Sequence, residues 1–199
     1  FKVVVDGVNS SGGIVVPLLL ERLGVTAIKL HCNPNGHFPH NPEPLKEHLR
    51  DLSEKVIQTG ADFGIAVDPD VDRLAFMDEN GLLFGEEYTL VACADYVLSQ
   101  KKGNTVSNLS STRALRDITE KHGAVYSPSA VGEVNVVAAM KANNAVIGGE
   151  GNGGIILPES HYGRDALVGI ALFLSLLAEK RLSVSALKKT YTLYFMSKK

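Results

Sequence analysis

Residues 63–73 read Phe63-Gly-Ile-Ala-Val-Asp-Pro-Asp-Val-Asp-Arg73, and a second apolar run, Leu74-Ala-Phe-Met77, follows at once. Short apolar runs rich in Ile and Val on both sides of a polar turn predict strand, tight loop, strand. The aspartates stand at every second position and would alternate across an extended backbone. A turn at the proline is therefore needed to bring Asp68, Asp70 and Asp72 together.

Three converging carboxylates repel one another unless a cation lies between them. Hard oxygen ligands suit Mg²⁺, which keeps water or substrate phosphate in its remaining positions. Arg73 favours a phosphoryl group beside the ion, because a guanidinium binds phosphate rather than metal. A solvated acidic turn and an EF-hand are the alternatives. The EF-hand pattern is only half met: its glycine position falls on Arg73, its twelfth on Glu79, and strands flank the loop.

Another segment, Gly148-Gly-Glu-Gly-Asn-Gly-Gly154, combines glycines with a carboxylate and an amide. Vicinal sugar hydroxyls both donate and accept hydrogen bonds, so a carboxylate with a nearby amide can bind a diol. The glycines permit unusual dihedral angles and close approach of the backbone. Taken alone, the segment fits equally well a glycine-rich hairpin with one exposed glutamate.

Together, Asp68-Pro-Asp-Val-Asp-Arg73 and the glycine-rich segment make the sequence resemble the phosphohexomutases, the family that includes phosphoglucomutase and phosphomannomutase. The aspartate motif is similar to the metal loop of that family, and the glycine-rich segment is similar to its sugar-recognition loop. The resemblance covers essentially the whole chain and implies sites for Mg²⁺, phosphate and sugar. The implied residues are Asp68, Asp70 and Asp72 for the metal, Arg73 for the phosphate, and Glu150 and Asn152 for the sugar hydroxyls.

The resemblance also implies an activity. The family transfers a phosphoryl group between C1 and C6 of a hexose phosphate through a phosphoserine enzyme and a bisphosphorylated intermediate. Mg²⁺ would polarise the phosphoryl group on that serine, and Arg73 would steady the same group. Glu133 stands where some relatives carry a histidine near the substrate, and Ser110 where some carry a lysine. These departures leave the general acid or base open, with Glu133 as the candidate in this chain.

Two parts of such an enzyme are missing from the sequence. The catalytic serine motif of the family, Ser-His-Asn-Pro, does not occur, and neither does the Arg- and Ser/Thr-rich phosphate clamp of a fourth domain. The chain also begins at Phe1, inside an apolar run and without a methionine. We therefore expect the second and third domains of a phosphohexomutase, with the missing first and fourth domains as partners, and no activity from these domains alone.

Composition argues against several other classes of protein. The 199 residues have 45% hydrophobic content, 21% charged content and a formal net charge of -2, which offers no basic surface for nucleic acid. No apolar run reaches the length of a membrane span, and no leader pattern is present. Two cysteines, Cys32 and Cys93, are too few for a disulfide framework, which favours a cytoplasmic protein.

The order of predicted elements repeats along the chain. Strand, polar loop, helix, strand, loop, helix, strand, acidic loop and strand occur twice, with Ser10 and Ser110 as counterparts. We therefore predict an α/β protein of two tandem three-layer αβα domains with similar topology and mixed sheets, whose acidic loops face a shared cleft. The predicted domains are residues 1–85, with the metal loop, and residues 86–199, with the sugar loop and the start of a linker to a fourth domain.

Several features outside the two motifs are interpreted as structural. The loop over residues 31–44 contains four prolines and three histidines but lacks the regular spacing that holds metal ligands. Its histidines are His31, His37 and His40. Arg164 and Asp165 are expected to pair with each other or to orient the sugar loop. Residues 45–60 are predicted to form one amphipathic helix and residues 127–129 a turn.

Two other functions compete with a mutase. A natural two-domain protein could use the sugar loop as a non-catalytic module that binds a carbohydrate or a sugar phosphate. A Mg²⁺-dependent phosphatase with an aspartyl nucleophile could use Asp68 and Asp70 as its acidic pair. Such phosphatases place their acidic pair after the first strand of the domain and need a lysine and a second acidic motif, a set that this sequence lacks.

Overall fold

The computed structural model describes residues 1–195, and its first half contains a four-stranded sheet. The strands are β1 (Lys2–Asp6), β2 (Thr26–Leu30), β3 (Phe63–Val67) and β4 (Leu74–Met77). They lie in the order β2-β1-β3-β4, with β1 parallel to β2 and β3 and with β4 antiparallel to β3. The metal loop is the connection between β3 and β4.

The second half builds a sheet of the same design. Its strands are β5 (Asn104–Asn108), β6 (Tyr126–Ser129), β7 (Ala145–Gly149) and β8 (Ile155–Ile156). The order β6-β5-β7-β8, with three parallel strands and an antiparallel last strand, repeats the first sheet strand for strand. The predicted repeat and the mixed sheets are confirmed, and the sugar loop is the counterpart of the metal loop.

The helices complete the layers. They are α1 (Gly12–Arg22), α2 (Arg50–Thr59), α3 (Glu86–Gln100), α4 (Ala114–Lys121), α5 (Glu133–Ala142), α6 (Ala166–Lys180) and α7 (Val184–Lys188). Helix α2 covers the outer face of the first sheet and α5 that of the second, each over a small apolar core. Helices α3 and α6 touch strands of both sheets within one large core. The predicted fold of two αβα units is confirmed.

Aromatic packing fixes how the two units meet. Phe173 of α6 stacks on Phe76 of β4 with ring centroids 3.7 Å apart and contacts Phe63 and Phe84 edge to face. All four side chains are fully buried, so each removes a large apolar area from water. The backbone N–H of Ala166 also donates to the Val71 carbonyl at 3.0 Å. The helix that follows the sugar loop is thus attached to the metal loop.

Two local predictions are wrong. Residues 45–60 do not form one helix, because a short 3-10 turn, Lys46–His48, precedes α2, although the predicted apolar positions Leu49, Leu52 and Val56 are buried. The predicted turn at residues 127–129 belongs to β6. Its proline is tolerated there because β6 is an edge strand.

The predicted boundary between residues 85 and 86 coincides with the start of α3, but α3 packs against both units, so this boundary stays a prediction. The end of the predicted second domain and linker lies outside the described residues. Within residues 1–195, no helix has the length and apolarity needed to cross a membrane.

Candidate functional site

The metal loop curls around the carboxylate of Asp68. Its Oδ1 accepts hydrogen bonds from the backbone N–H groups of Asp72 and Arg73, both at 2.9 Å. Val71 takes a positive φ of 62°, which lets the chain reverse within a few residues. One carboxylate oxygen from each of Asp68, Asp70 and Asp72 lies within 4.8 Å of the other two. The turn therefore brings together the three side chains on which the magnesium prediction depends.

The electrostatics of this loop favour a cation. Asp68 is only 6% exposed, and burial, together with the neighbouring carboxylates of Asp72 and Asp70, raises its pKa to about 7. Among the described residues, no donor reaches Asp72 Oδ1, although this atom is buried. A buried carboxylate oxygen without a donor is costly unless a cation binds it. The donor set, all carboxylate oxygen, fits a hard dication such as Mg²⁺.

Arg73 lies beside the three carboxylates and is held from outside the loop. Its Nη1 donates to Glu43 Oε1 at 2.7 Å, and its Nε lies 3.8 Å from Asp68 Oδ2 and 3.9 Å from Asp72 Oδ1. Glu43 comes from the loop over residues 31–44, here called the proline-rich loop, and no sequence motif singled it out. The guanidinium is partly exposed, so it can meet an incoming anion next to the metal loop.

The loop between β1 and α1 is hydrogen-bonded to the metal loop. The hydroxyl groups of Ser10 and Ser11 both donate to the carbonyl oxygen of Pro69, at 2.9 and 2.8 Å. Strands β1 and β3 are parallel neighbours, so the loops that follow them meet at the same edge of the sheet. These contacts give this polar loop a structural role at the metal loop.

In the sugar loop, Glu150 is buried at 5% exposure rather than standing on an exposed hairpin. Its Oε1 accepts from Asn108 Nδ2 at 2.8 Å and its Oε2 from Arg164 Nη1 at 2.9 Å. Each carboxylate oxygen keeps a further lone pair for a hydroxyl donor. Asn152 Oδ1 accepts from the N–H of Gly154 at 3.1 Å, which directs the Asn152 side chain back over the loop.

Two glycines let the sugar loop touch its neighbours. A Cβ at Gly151 would lie 2.4 Å from the Ser110 carbonyl oxygen, and one at Gly153 would lie 2.2 Å from the Leu74 carbonyl oxygen. Gly153 also has a positive φ of 88°. Because Leu74 directly follows the metal loop, the backbones of the two loops are in contact, and the acidic loops share one site.

Arg164 joins the two loops through its side chain. Its Nη2 donates to Asp72 Oδ2, its Nη1 donates to Glu150 Oε2 at 2.9 Å, and its Nε lies 3.4 Å from Glu133 Oε2. The Arg164 backbone N–H donates to Glu133 Oε1 at 3.1 Å. One guanidinium therefore balances carboxylates of the metal loop, the sugar loop and α5. This contact gives Glu133 a role in holding Arg164, and its role as an acid or base stays a prediction.

The suggested pairing of Arg164 with Asp165 is wrong, whereas its suggested role in orienting the sugar loop agrees with the contact to Glu150. Asp165 instead caps α6, where its Oδ1 accepts from the N–H groups of Leu167 and Val168. Its Oδ2 lies 2.9 Å from His161 Nε2. A helix N-terminus favours an acidic cap, which explains the separate partners.

The structural role predicted for the proline-rich loop over residues 31–44 stays a prediction, but the fold brings two of its histidines into a group of possible metal ligands. His31 and His40 lie together with Asp6, and one ligand atom of each is within 4.8 Å of the others. His37 is not part of this group. His31 lies beside Asp6 because β1 and β2 end side by side, and His40 reaches both from the loop; spacing along the sequence shows neither contact.

Comparison with known proteins identifies the class of protein to which this fold and site belong. The domain family described as "Phosphoglucomutase/phosphomannomutase, alpha/beta/alpha domain II" matches residues 1–81, and the one described as domain III matches residues 77–194. The chain belongs to the phosphoglucomutase/phosphomannomutase family and contains these two domains. The predicted family resemblance is confirmed.

Individual relatives agree with this assignment. A phosphoglucomutase/phosphomannomutase of Thermococcus kodakarensis is 38% identical over 98% of this chain and 43% of its own length. A crystal structure of a family protein from Burkholderia thailandensis superimposes with a TM-score of 0.87 at 30% identity, covering 96% of this chain and 42% of that one. The chain thus spans less than half the length of these relatives.

A more distant structure shares the fold. Aspergillus fumigatus N-acetylphosphoglucosamine mutase, solved in complex with GlcNAc-6P and magnesium, matches with a TM-score of 0.70 at 17% identity. It covers 96% of this chain and 49% of that protein.

Proposed function

We propose that this chain supplies the metal-binding and sugar-binding domains of a phosphohexomutase, which moves a phosphoryl group between C1 and C6 of a hexose phosphate. Membership of the family supports the reaction class. The observation that carries the proposal is the contact between the two loops, which puts a carboxylate cluster and a polar, glycine-rich loop in one site. A sugar bound at one loop would have its phosphate at the other.

In this proposal Asp68, Asp70 and Asp72 hold Mg²⁺. Asp72 Oδ1 is buried without a donor among the described residues, and the pKa of Asp68 is raised, which both indicate that Arg73 and Arg164 do not fully balance the charge of the metal-free loop. The magnesium in the A. fumigatus relative agrees with this choice of metal. Bound Mg²⁺ would supply neutralisation of the charge on the transferring phosphoryl group. Arg73, held by Glu43, would bind oxygens of the same group.

Glu150 and Asn152 would bind vicinal hydroxyls of the sugar. The contacts of Glu150 with Asn108 and Arg164 hold its carboxylate in one orientation before a sugar arrives, which lowers the entropy lost on binding. Arg164 would also tie the sugar loop to Asp72 of the metal loop. Glu133 would mainly hold Arg164, which engages its carboxylate, and proton transfer would be its second role.

The remaining parts of the reaction lie outside these 199 residues in our proposal. A first domain would supply the phosphoserine, and a fourth would supply the phosphate clamp. The chain alone would bind metal and turn over nothing. Detectable conversion of glucose 1-phosphate to glucose 6-phosphate by the pure chain would contradict this division of labour. The cytoplasmic location also stays a prediction.

Titration with Mn²⁺, followed by electron paramagnetic resonance, tests the metal site directly. Asp70→Asn should weaken Mn²⁺ binding at least about tenfold, because one anionic ligand becomes neutral. Asp70 is exposed, so its replacement should leave the fold intact. Asp62→Asn, at the opposite end of β3, is the matched control and should bind Mn²⁺ like the parent chain. Equal affinity in the two variants would refute the site.

A further measurement separates a mutase domain pair from a simple carbohydrate-binding module. The site proposed here needs both loops for a sugar bisphosphate, so glucose 1,6-bisphosphate binding measured by calorimetry should weaken in Glu150→Gln and also in Asp70→Asn. A module that reads only sugar hydroxyls would lose affinity in Glu150→Gln alone and would bind glucose as well as its bisphosphate.

A further inference from the structure

A group of metal-ligand residues outside the proposed active site lies at the edge of the first sheet. Asp6 is the last residue of β1, and His31 directly follows β2, whose Leu30 pairs with Asp6 in the parallel ladder. The carboxyl ends of adjacent parallel strands put their side chains side by side. His40 reaches them from the proline-rich loop, and its ring lies 5.6 Å from that of His31.

His40 and Asp6 share one position that either a proton or a metal ion can occupy. Its Nδ1 lies 2.8 Å from the carbonyl oxygen of Asn41, which only accepts, so Nδ1 must carry a proton. In the neutral ring Nε2 then has a lone pair, yet Nε2 faces Asp6 Oδ2 at 3.0 Å. Two acceptors at this distance need a proton or a metal ion between them. Asp6 is 1% exposed, so a proton on His40 balances its charge, and a metal ion bound here would take the place of that proton.

Each of the three side chains also has a hydrogen-bond partner outside the group, which fixes its orientation. The N–H of Val8 donates to Asp6 Oδ1 at 3.0 Å, and the Asn41 carbonyl fixes the ring of His40. His31 Nε2 lies 3.1 Å from the Asp51 carboxylate, so a proton on that nitrogen leaves the lone pair on Nδ1. Metal-binding histidines commonly donate their second N–H to a carbonyl or carboxylate in this way.

We propose that Asp6, His31 and His40 form a second metal site that binds a transition-metal dication such as Zn²⁺. Two imidazoles and one carboxylate suit Zn²⁺ and similar ions and do not suit Mg²⁺, which prefers oxygen ligands throughout. Tetrahedral zinc with bonds of about 2.0 Å places its ligand atoms about 3.3 Å apart. His40 Nε2 and Asp6 Oδ2 are already 3.0 Å apart, and the ligand atom of His31 lies within 4.8 Å of the other two.

The site would act on the active site through the proline-rich loop. A metal ion here would fasten His40, and with it the loop over residues 31–44, to the first sheet. The same loop carries Glu43, whose carboxylate binds Arg73 of the metal loop at 2.7 Å. Zinc would thus hold in place the loop that positions Arg73.

Titration with Co²⁺ under saturating Mg²⁺, followed by visible absorption, tests the site, because Co²⁺ reports nitrogen-containing tetrahedral coordination while Mg²⁺ fills the oxygen-only loop. One equivalent of Co²⁺ should bind, and excess Zn²⁺ should displace it. His31→Ala and His40→Ala should each weaken Zn²⁺ binding at least about tenfold. Zn²⁺ should raise the melting temperature of the parent chain and not that of these variants.

Matched controls lie in the same loop. His37→Ala removes a histidine outside the group, and Cys32→Ser removes the nearby thiol, whose Sγ donates to the Leu30 carbonyl. Both should bind Zn²⁺ like the parent chain. If His40→Ala does not fold, His40→Gln keeps a hydrogen-bonding side chain but no imidazole. Absence of stoichiometric Co²⁺ binding, or equal binding by the histidine variants and the controls, would overturn the proposal.

Discussion

The metal loop and the sugar loop occupy the same position in two sheets of the same topology, yet their shapes have different causes. Each leaves the third strand of its sheet and returns in the antiparallel fourth strand. The metal loop takes its shape from hydrogen bonds to a side chain, because the Asp68 carboxylate accepts from two backbone N–H groups. The sugar loop takes its shape from close backbone contacts, because Gly151 and Gly153 pack against neighbouring carbonyl groups with no room for a Cβ atom. The same sheet topology thus supports an acidic loop in the first unit and a glycine-rich loop in the second.

The two loops also differ in how their charge is balanced. Glu150 has a donor on each oxygen, from Asn108 and Arg164. Asp68 and Asp72 of the metal loop share Arg73 and Arg164, and one buried oxygen of Asp72 still has no donor among the described residues. The sugar loop is therefore complete without a ligand, whereas the metal loop is not.

The largest expected effect is at Gly153. Gly153→Ala should lower the free energy of unfolding by about 4 kcal/mol, since it combines a disfavoured positive φ with a clash against the backbone of Leu74. Gly24→Ala is the control, with a similar φ of 71° and open space around it, and should lose about 1 kcal/mol. Urea denaturation measures both. Equal losses would show that close packing does not shape the sugar loop.

Removing Arg164 should have the next largest effect. Arg164→Ala leaves the carboxylates of Asp72 and Glu150 without their shared partner and should cost about 3 kcal/mol of stability. Arg164→Lys should recover only part of the lost stability, because lysine keeps the positive charge but its ammonium group cannot reach both carboxylates in the forked geometry of arginine.

The control for Arg164 is Arg50→Ala, which breaks an exposed pair with Glu54 and should leave the urea midpoint almost unchanged. A matching small change in Arg164→Ala would mean that the two loops are held together by their backbones alone.

Changes in pH should affect the metal-free and the Mg²⁺-bound chain in opposite directions. Because burial raises the pKa of Asp68 to about 7, the metal-free fold is favoured by protonation and should lose stability as the pH rises through 7. Mg²⁺ binds the ionised form, so its effect has the opposite sign. At pH 6 about one tenth of Asp68 is ionised, which weakens the apparent Mg²⁺ affinity about tenfold, or about 1.4 kcal/mol.

Melting curves with and without Mg²⁺ at pH 6 and pH 8 check this prediction. The rise in melting temperature on adding Mg²⁺ should be larger at pH 8. Asp70→Asn is the control and should show little Mg²⁺ effect at either pH. A Mg²⁺ effect that is independent of pH would contradict the assignment of Asp68 as the buried, titrating ligand.

Sequence alone predicted the fold and the two loops because their signals are local. Apolar runs, glycines and the two motifs repeat in order, and each stands within a single strand-loop-strand unit. The turn predicted at residues 127–129 failed because pairing with β5 outweighs the local signal of a proline at a sheet edge.

The contacts between the two units have no local pattern in the sequence that predicts them. Arg164 is 92 residues from Asp72 in sequence and meets it only because Phe173 and its neighbours pack α6 on the first sheet. His31 and Asp6 meet because β1 and β2 end side by side. Asn108 could have been found by analogy, since it ends β5 at the position where Asp6 ends β1.

The smallest expected effect lies beneath the metal loop. Ser10→Ala removes one of two hydroxyl donors to the Pro69 carbonyl and should cost about 1 kcal/mol in urea denaturation. Ser175→Ala in α6, whose hydroxyl only bonds back to the Ala171 carbonyl of its own helix, should cost less. If the hydrogen bonds of Asp68 set the shape of the loop, Mn²⁺ affinity in Ser10→Ala should stay within about twofold of the parent. A loss as large as that in Asp70→Asn would mean that the metal loop, like the sugar loop, takes its shape from its neighbours.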